Sequence, residues 1–212
     1  MHNWIRRPLI VFVLLASMNV GAQQRGVGVR LRFAFGALTG SGSNQKLTPI
    51  TQDTALRTGD RIKMMVEMQQ PGFAYVIYRS PKDEIELLFP PDVKQNLQTA
   101  RKYYIPGGTD WLQFDESPGS ETFYVLASAE RLMTLESLLG RHAGTAEIVA
   151  EVRRLRAQNS NAIVQADRPV IIGGNVRSID KAAGRNLPDV STIATDITAN
   201  TFYARTFTID HR

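Results

Sequence analysis

The stretch GDRIKMMVEMQQPGFAYVIYRSPKDEIELLFPP, residues 59–91, decides the fold class. Gly59-Asp60 marks a turn into Arg61–Met68, where Ile62, Met64, Val66 and Met68 alternate onto one face, the period of a strand with one side buried. Pro71-Gly72 turns the chain into Phe73–Arg79, a run rich in tyrosine and β-branched residues that is apolar on both faces, as a central strand covered twice would be. Ser80-Pro81-Lys82-Asp83 has the composition of a hairpin loop leading into Glu84–Phe89, and Pro90-Pro91 ends that strand because proline cannot donate to a ladder. Three strands joined by tight turns predict antiparallel β structure.

The pattern continues outward in both directions. Upstream, Val27, Val29, Leu31, Phe33 and Phe35 alternate with smaller or charged residues, and the Gly/Ser/Asn/Thr-rich segment Gly36 to Thr48 reads as a connection. Downstream, short strands are expected at Lys102–Ile105, Trp111–Phe114 and Glu121–Ser128, separated by Gly107-Gly108 and Ser117-Pro118-Gly119-Ser120. From Ala129 the period changes: Leu132, Leu135, Leu138 and Leu139 recur at helical spacing, with Gly140 as the expected left-handed terminator. A second helix is predicted over Thr145–Gln158, with Thr145 as N-cap and Ile148, Val149, Val152 and Leu155 as its apolar stripe. Pro169–Ile172 and Thr201–Ile209 read as later strands, and Gly173 to Asn200 between them as a largely irregular loop. The expected architecture is mainly β with helices: an antiparallel sandwich or partly open barrel, followed by two helices at about 130–158 and a returning C-terminal strand.

The first 22 residues have a different character. Arg6 and Arg7 precede the apolar run Leu9 to Ala16, and Val20-Gly21-Ala22 places small residues where signal peptidase cuts, so a cleaved export signal ending at Ala22 is expected. Only eleven positions, Pro8 to Met18, precede the polar Asn19, fewer than the roughly 17–25 apolar residues that cross a bilayer, so no stable span is expected after cleavage. The chain has no cysteine, which excludes disulfide staples, thiol catalysis, cysteine-ligated zinc and a lipid-anchored leader. Its formal charge of +5, or +3 without Arg6 and Arg7, is too small a surplus to imply a nucleic-acid partner. A periplasmic or secreted protein with one β-rich domain over residues 23–212 is expected.

Within residues 59–128 the motifs fall in a recognisable order. They are Gly59-Asp60, Pro71-Gly72-Phe73-Ala74-Tyr75-Val76, Glu86-Leu87-Leu88-Phe89-Pro90, Asn96, Ile105-Pro106, Pro118-Gly119-Ser120-Glu121 and Val125-Leu126-Ala127-Ser128. This series resembles the DUF4384 family, a bacterial domain of unknown function. One departure is that Tyr75 lies three positions after Gly72, where the family often has tyrosine directly after glycine. The resemblance implies a β-rich module found alone behind a signal peptide or attached to proteases, kinases and signalling domains. It carries no known catalytic residue.

Chemistry is thinly represented. The histidines are His2 in the leader, His142 between the helices and His211 next to the end, a distribution that does not point to a nucleophile–base pair. No H-E-x-x-H, G-x-S-x-G, Walker or calcium-loop pattern is present, so neither a metal nor another cofactor is expected. Gly40-Ser41-Gly42-Ser43 lacks the Lys-Thr and helix of a phosphate cradle. Two acidic groups, Asp83/Glu84/Glu86 and Asp115-Glu116, could in principle supply a carboxylate pair for hydrolysis, although charges on turns and edge strands ordinarily serve solubility. Among the aromatics, Tyr103, Tyr104 and Trp111 are the candidate partner-binding residues, because adjacent tyrosines in a strand must face opposite ways and one can be exposed. The expected function is a non-catalytic interaction module binding another envelope protein. Binding of cell-wall glycan or a small ligand through exposed aromatics, and hydrolysis by a carboxylate pair, are the two alternatives.

Overall fold

A computed structural model describes residues 28–40, 45–159, 165–166 and 187–212. The expected export signal and the expected strand at 169–172 lie outside these residues. Among the described residues thirteen strands are formed: β1 (Val29–Thr39), β2 (Lys46–Pro49), β3 (Thr54–Leu56), β4 (Arg61–Met68), β5 (Gly72–Arg79), β6 (Ile85–Phe89), β7 (Leu97–Gln98), β8 (Lys102–Ile105), β9 (Leu112–Gln113), β10 (Gly119–Ser128), β11 (Gln165–Ala166), β12 (Thr195–Ala199) and β13 (Phe202–His211). Two helices, α1 (Met133–Gly140) and α2 (Thr145–Gln158), follow β10.

The strands form two sheets. The first has the order β11-β12-β1-β4-β8, with β2 also beside β1 and β9 beside β4. The second has the order β3-β13-β10-β5-β6, with β7 also beside β5. Every pairing is antiparallel except β3 with β13. The sheets stack as a sandwich and do not close into a barrel. Period-2 alternation explains the packing: Leu31, Phe33 and Phe35 of β1 meet Phe123 and Val125 of β10 and Phe207 of β13 in one core. Phe35 lies edge-on to Phe123 at 5.2 Å and to Phe207 at 5.3 Å, the orientation that ring quadrupoles favour.

As a run apolar on both faces requires, β5 sends Ala74 and Val76 into this core and Tyr75 and Ile77 outward under the helices. There they meet Leu135 of α1 and Ile148, Val152 and Leu155 of α2. Tyr75 also holds α1 in place: its buried hydroxyl donates to Glu136 Oε1 at 2.7 Å and accepts from the Leu132 N–H at 3.2 Å.

Several local expectations change. Gly140 is the last helical residue, and the left-handed residue after α1 is His142, with φ of 52°. Thr145 is not an N-cap: Gly144 occupies that place, and the Thr145 hydroxyl donates instead to the Asp83 carbonyl at 2.6 Å, tying α2 to the β5–β6 turn. Gly72 is needed for closeness, because a Cβ there would lie 2.6 Å from Met68 Cε and 3.0 Å from the Ser128 carbonyl. The segment read as an irregular loop holds a 3₁₀ turn, Val190–Ile193, and β12. Val190 packs on Ala34 and Met65, covering the outer face of the first sheet.

Candidate functional site

At one edge of the sandwich β6 faces β9, and between them lies a cavity of about 500 Å³. The hairpin that builds one wall has a three-residue loop, Pro81-Lys82-Asp83, in which Asp83 adopts φ of 66°. The Asp83 N–H donates to the Ser80 carbonyl at 3.1 Å and the Ser80 N–H to the Glu84 carbonyl at 2.8 Å, the pattern of a type I turn closed by a bulge. Asp83 pairs with Arg79 at 2.6 Å, which holds the turn at the cavity mouth.

Apolar walls come from Ile62, Leu88, Leu112, Phe114 and Phe123. Glu84, Glu86, Asp115 and Glu121 supply carboxylates against one ammonium, that of Lys82. The cavity therefore favours a ligand with an apolar stem and a cationic head.

Glu121 and Tyr78 form its most enclosed polar pair. Glu121 is 8% exposed, and its Oε2 accepts from the Tyr78 hydroxyl at 2.6 Å. Burial pushes the Glu121 carboxyl above the ordinary carboxylate value; the Tyr78 hydrogen bond and His211 pull it back, and Asp115 adds to the rise. The Tyr78 phenol is raised by burial first, then by its hydrogen bond to Glu121 and by the charge of that group, so it stays a proton donor at neutral pH.

His211 is the functional-type residue that its position near the terminus hid. Pairing of Gly119 with His211 brings its Nδ1 to 3.7 Å from Glu121 Oε1, while Nε2 lies 3.2 Å from the Thr58 hydroxyl. Thr58, His211 and Glu121 thus follow one another like a hydrolytic relay. The imidazole, however, is 1% exposed and packed against Phe114 with ring centroids 4.9 Å apart, and its 3.7 Å contact to Glu121 is too long for a hydrogen bond. A ring so enclosed has no surface from which to hand a proton to a leaving group. Its packing instead clamps β13 against the Thr58 turn.

The three aromatic candidates separate as adjacent strand positions must. Tyr103 points to the core side and packs 5.0 Å from Phe89, with the Arg101 guanidinium 5.2 Å from its ring. Tyr104 points to the outer face, where its hydroxyl donates to Asp189 at 3.2 Å. The Lys63 ammonium lies 5.5 Å from the Tyr104 ring and 5.9 Å from the Trp111 ring, and donates to the carbonyls of Gly108 and Asp110. Tyr104 and Trp111 therefore meet on one lysine and Tyr103 does not join them. Burial works against Asp189, yet the Ser191 hydroxyl and N–H, the Tyr104 hydroxyl and Lys102 hold its carboxyl below the usual value.

Of the acidic residues read from the sequence, Glu84, Glu86 and Asp115 line the cavity; Asp83 and Glu116 do not. Glu121 was hidden inside a strand pattern, and only the β10–β13 register places it beside His211.

No curated protein and no solved structure matches the chain. Residues 55–131 match the model of the family described as Domain of unknown function (DUF4384). Every residue lining the cavity falls within that segment.

Proposed function

Taking residues 55–131 as a segment of the DUF4384 family, we propose that the chain is an exported, non-catalytic interaction module whose edge cavity receives part of another envelope protein. The observation that carries this reading is the cavity itself: about 500 Å³, apolar in its walls, acidic at its rim, and built wholly by the family segment. Its polar groups are suited to holding a cation. The one histidine near it is enclosed, which favours binding over proton transfer. Export rests on residues 1–22, and N-terminal sequencing of the protein recovered outside the cytoplasm should begin at Gln23.

The direct test is affinity capture from envelope extracts with the wild type and with a Glu84→Lys/Asp115→Lys variant, two exposed rim positions whose reversal leaves the core untouched. A reproducible partner held by the wild type and lost from the variant is expected. Equal recovery by both proteins, or no reproducible partner, contradicts the reading.

One observation favours a second reading, hydrolysis by carboxylates. Glu121, raised by burial, shares the cavity with Glu84, Glu86 and Asp115, and carboxyl groups in unlike surroundings are how acid and base roles divide. Abolition by Glu121→Gln of a measured glycan-hydrolysing activity would select it.

A further inference from the structure

We propose that β6 is a docking edge to which an extended segment of the partner adds as a strand, with a lysine or arginine opposite Glu86 and apolar residues opposite Ile85 and Leu87. The inference rests on the interaction-module reading and names the partner's chemistry.

Among the described residues β6 pairs with β5 alone, so its other side is a free row of backbone groups. The Ser80 N–H to Glu84 carbonyl bond fixes the phase of the hairpin. By alternation the backbone groups of Glu86 turn toward β5, opposite Tyr78, and those of Ile85 and Leu87 turn outward. An antiparallel strand added here would exchange hydrogen bonds at Ile85 and Leu87 and make the closer, non-bonded side-chain pair at Glu86.

Both faces of this edge have room. On the inner side lies the acidic cavity, to which β6 contributes Glu84, Glu86 and Leu88. On the outer side a second hollow of about 540 Å³ runs between β6 and the helices, lined by Ile85, Leu87, Leu139 and Ile148 together with Glu86, Asp92 and Lys94. Side chains of an added strand alternate between these two spaces. The residue opposite Glu86 enters the acidic cavity; its two neighbours enter the outer hollow, beside the side chains of Ile85 and Leu87. Regular pairing of β6 runs from Ile85 to Leu87 before its register against β5 shifts, about 10 Å of edge at roughly 3.3 Å per residue, enough for the pattern apolar–basic–apolar.

Charge also selects against a second copy of this chain. Antiparallel self-pairing about Glu86 would set like carboxylates directly opposite each other, which is destabilising. The same residue that deters self-association therefore admits a basic strand.

The test uses the full exported protein and a seven-residue acetylated, amidated peptide in which three valines alternate with two lysines between terminal serines. Two companion peptides carry glutamate in place of lysine, or N-methyl groups on the valine amides. Calorimetric titration should show binding of the lysine peptide, at least tenfold weakening by Glu86→Lys with a smaller loss in Glu86→Gln, and no binding of either companion. Circular dichroism of both variants should match the wild type, since Glu86 is exposed. Equal binding of the N-methylated peptide would overturn strand addition, and equal binding of the glutamate peptide would overturn the charge assignment. If no peptide binds while the wild type still captures a partner that the rim-reversed variant loses, the edge mode falls and the module reading survives. If capture also fails, both fall.

Discussion

Replacing Tyr78 with phenylalanine probes the wall of the cavity with little change in shape. The ring stays, 5.1 Å from Phe123, and the 2.6 Å bond from its hydroxyl to Glu121 Oε2 is lost. His211 Nδ1 is 3.7 Å from the other oxygen, too far to replace that bond. A carboxylate that is 8% exposed is then left without a protein donor. Hydrogen bonds to charged groups contribute about 1.5–3 kcal/mol, so Tyr78→Phe should destabilise the protein by about 2–3 kcal/mol at pH 7.

The pH dependence has a definite sign. Burial raises the Glu121 carboxyl in the folded state above its unfolded value of about 4.3, so over the window above that value the folded state binds more protons than the unfolded state. Stability due to this group therefore falls as pH rises through the window. The Tyr78 bond opposes the rise, and removing it moves the folded carboxyl higher still. The deficit of Tyr78→Phe should thus be large at pH 7.5 and shrink toward pH 4.5. In a Glu121→Gln background, where no charge forms, the same substitution should cost about 0.5–1.5 kcal/mol at every pH. Urea unfolding followed by far-ultraviolet circular dichroism at several pH values provides all four corners of the cycle. A cost below about 0.5 kcal/mol at pH 7, or one that is equal at pH 4.5 and 7.5, would refute the coupling.

Three further outcomes are expected. Tyr75→Phe leaves Glu136 Oε1 and the Leu132 N–H unpartnered beneath α1, and should lower stability by about 2–4 kcal/mol in chemical denaturation. Gly72→Ala forces a methyl against Met68 and the Ser128 carbonyl, and should cost about 1–3 kcal/mol in thermal unfolding, whereas substitution at exposed Gly107, where a Cβ meets nothing, should change it little. Phe35→Ala opens a hole where three rings meet and should cost about 3–5 kcal/mol by the same assay.

The elements with strong alternation were legible in the sequence. Arg61–Met68, Lys102–Ile105 and the helix Thr145–Gln158 have the predicted boundaries, and β5, β6, β10 and β13 shift by one or two residues at their ends. What the sequence hid was made by long-range pairing. β12 lies in a polar stretch and buries only Ile197 and Ala199; it is a strand because β1 runs beside it. β3 has three residues and exists through its parallel contact with β13. β1 continues past Phe35 to Thr39 because β2 and β4 flank that half, which composition marked as a connection. The cavity was half legible: Glu84, Glu86 and Asp115 stood out as charges, but their convergence with Glu121 depends on the stacking of β9 over β6. Tyr104 and Trp111 stood out in the sequence as rings, and the buried lysine that gathers them could not be seen in an alternating strand.

Strand addition at β6 makes one demand of the backbone that side-chain recognition does not. Amide hydrogen exchange, measured on the protein with and without the valine–lysine peptide, should show new protection at Ile85 and Leu87, with Glu86 unchanged because its amide already faces β5. Binding that leaves Ile85 and Leu87 exchanging freely, with protection appearing instead around Trp111 and Tyr104, would contradict the account.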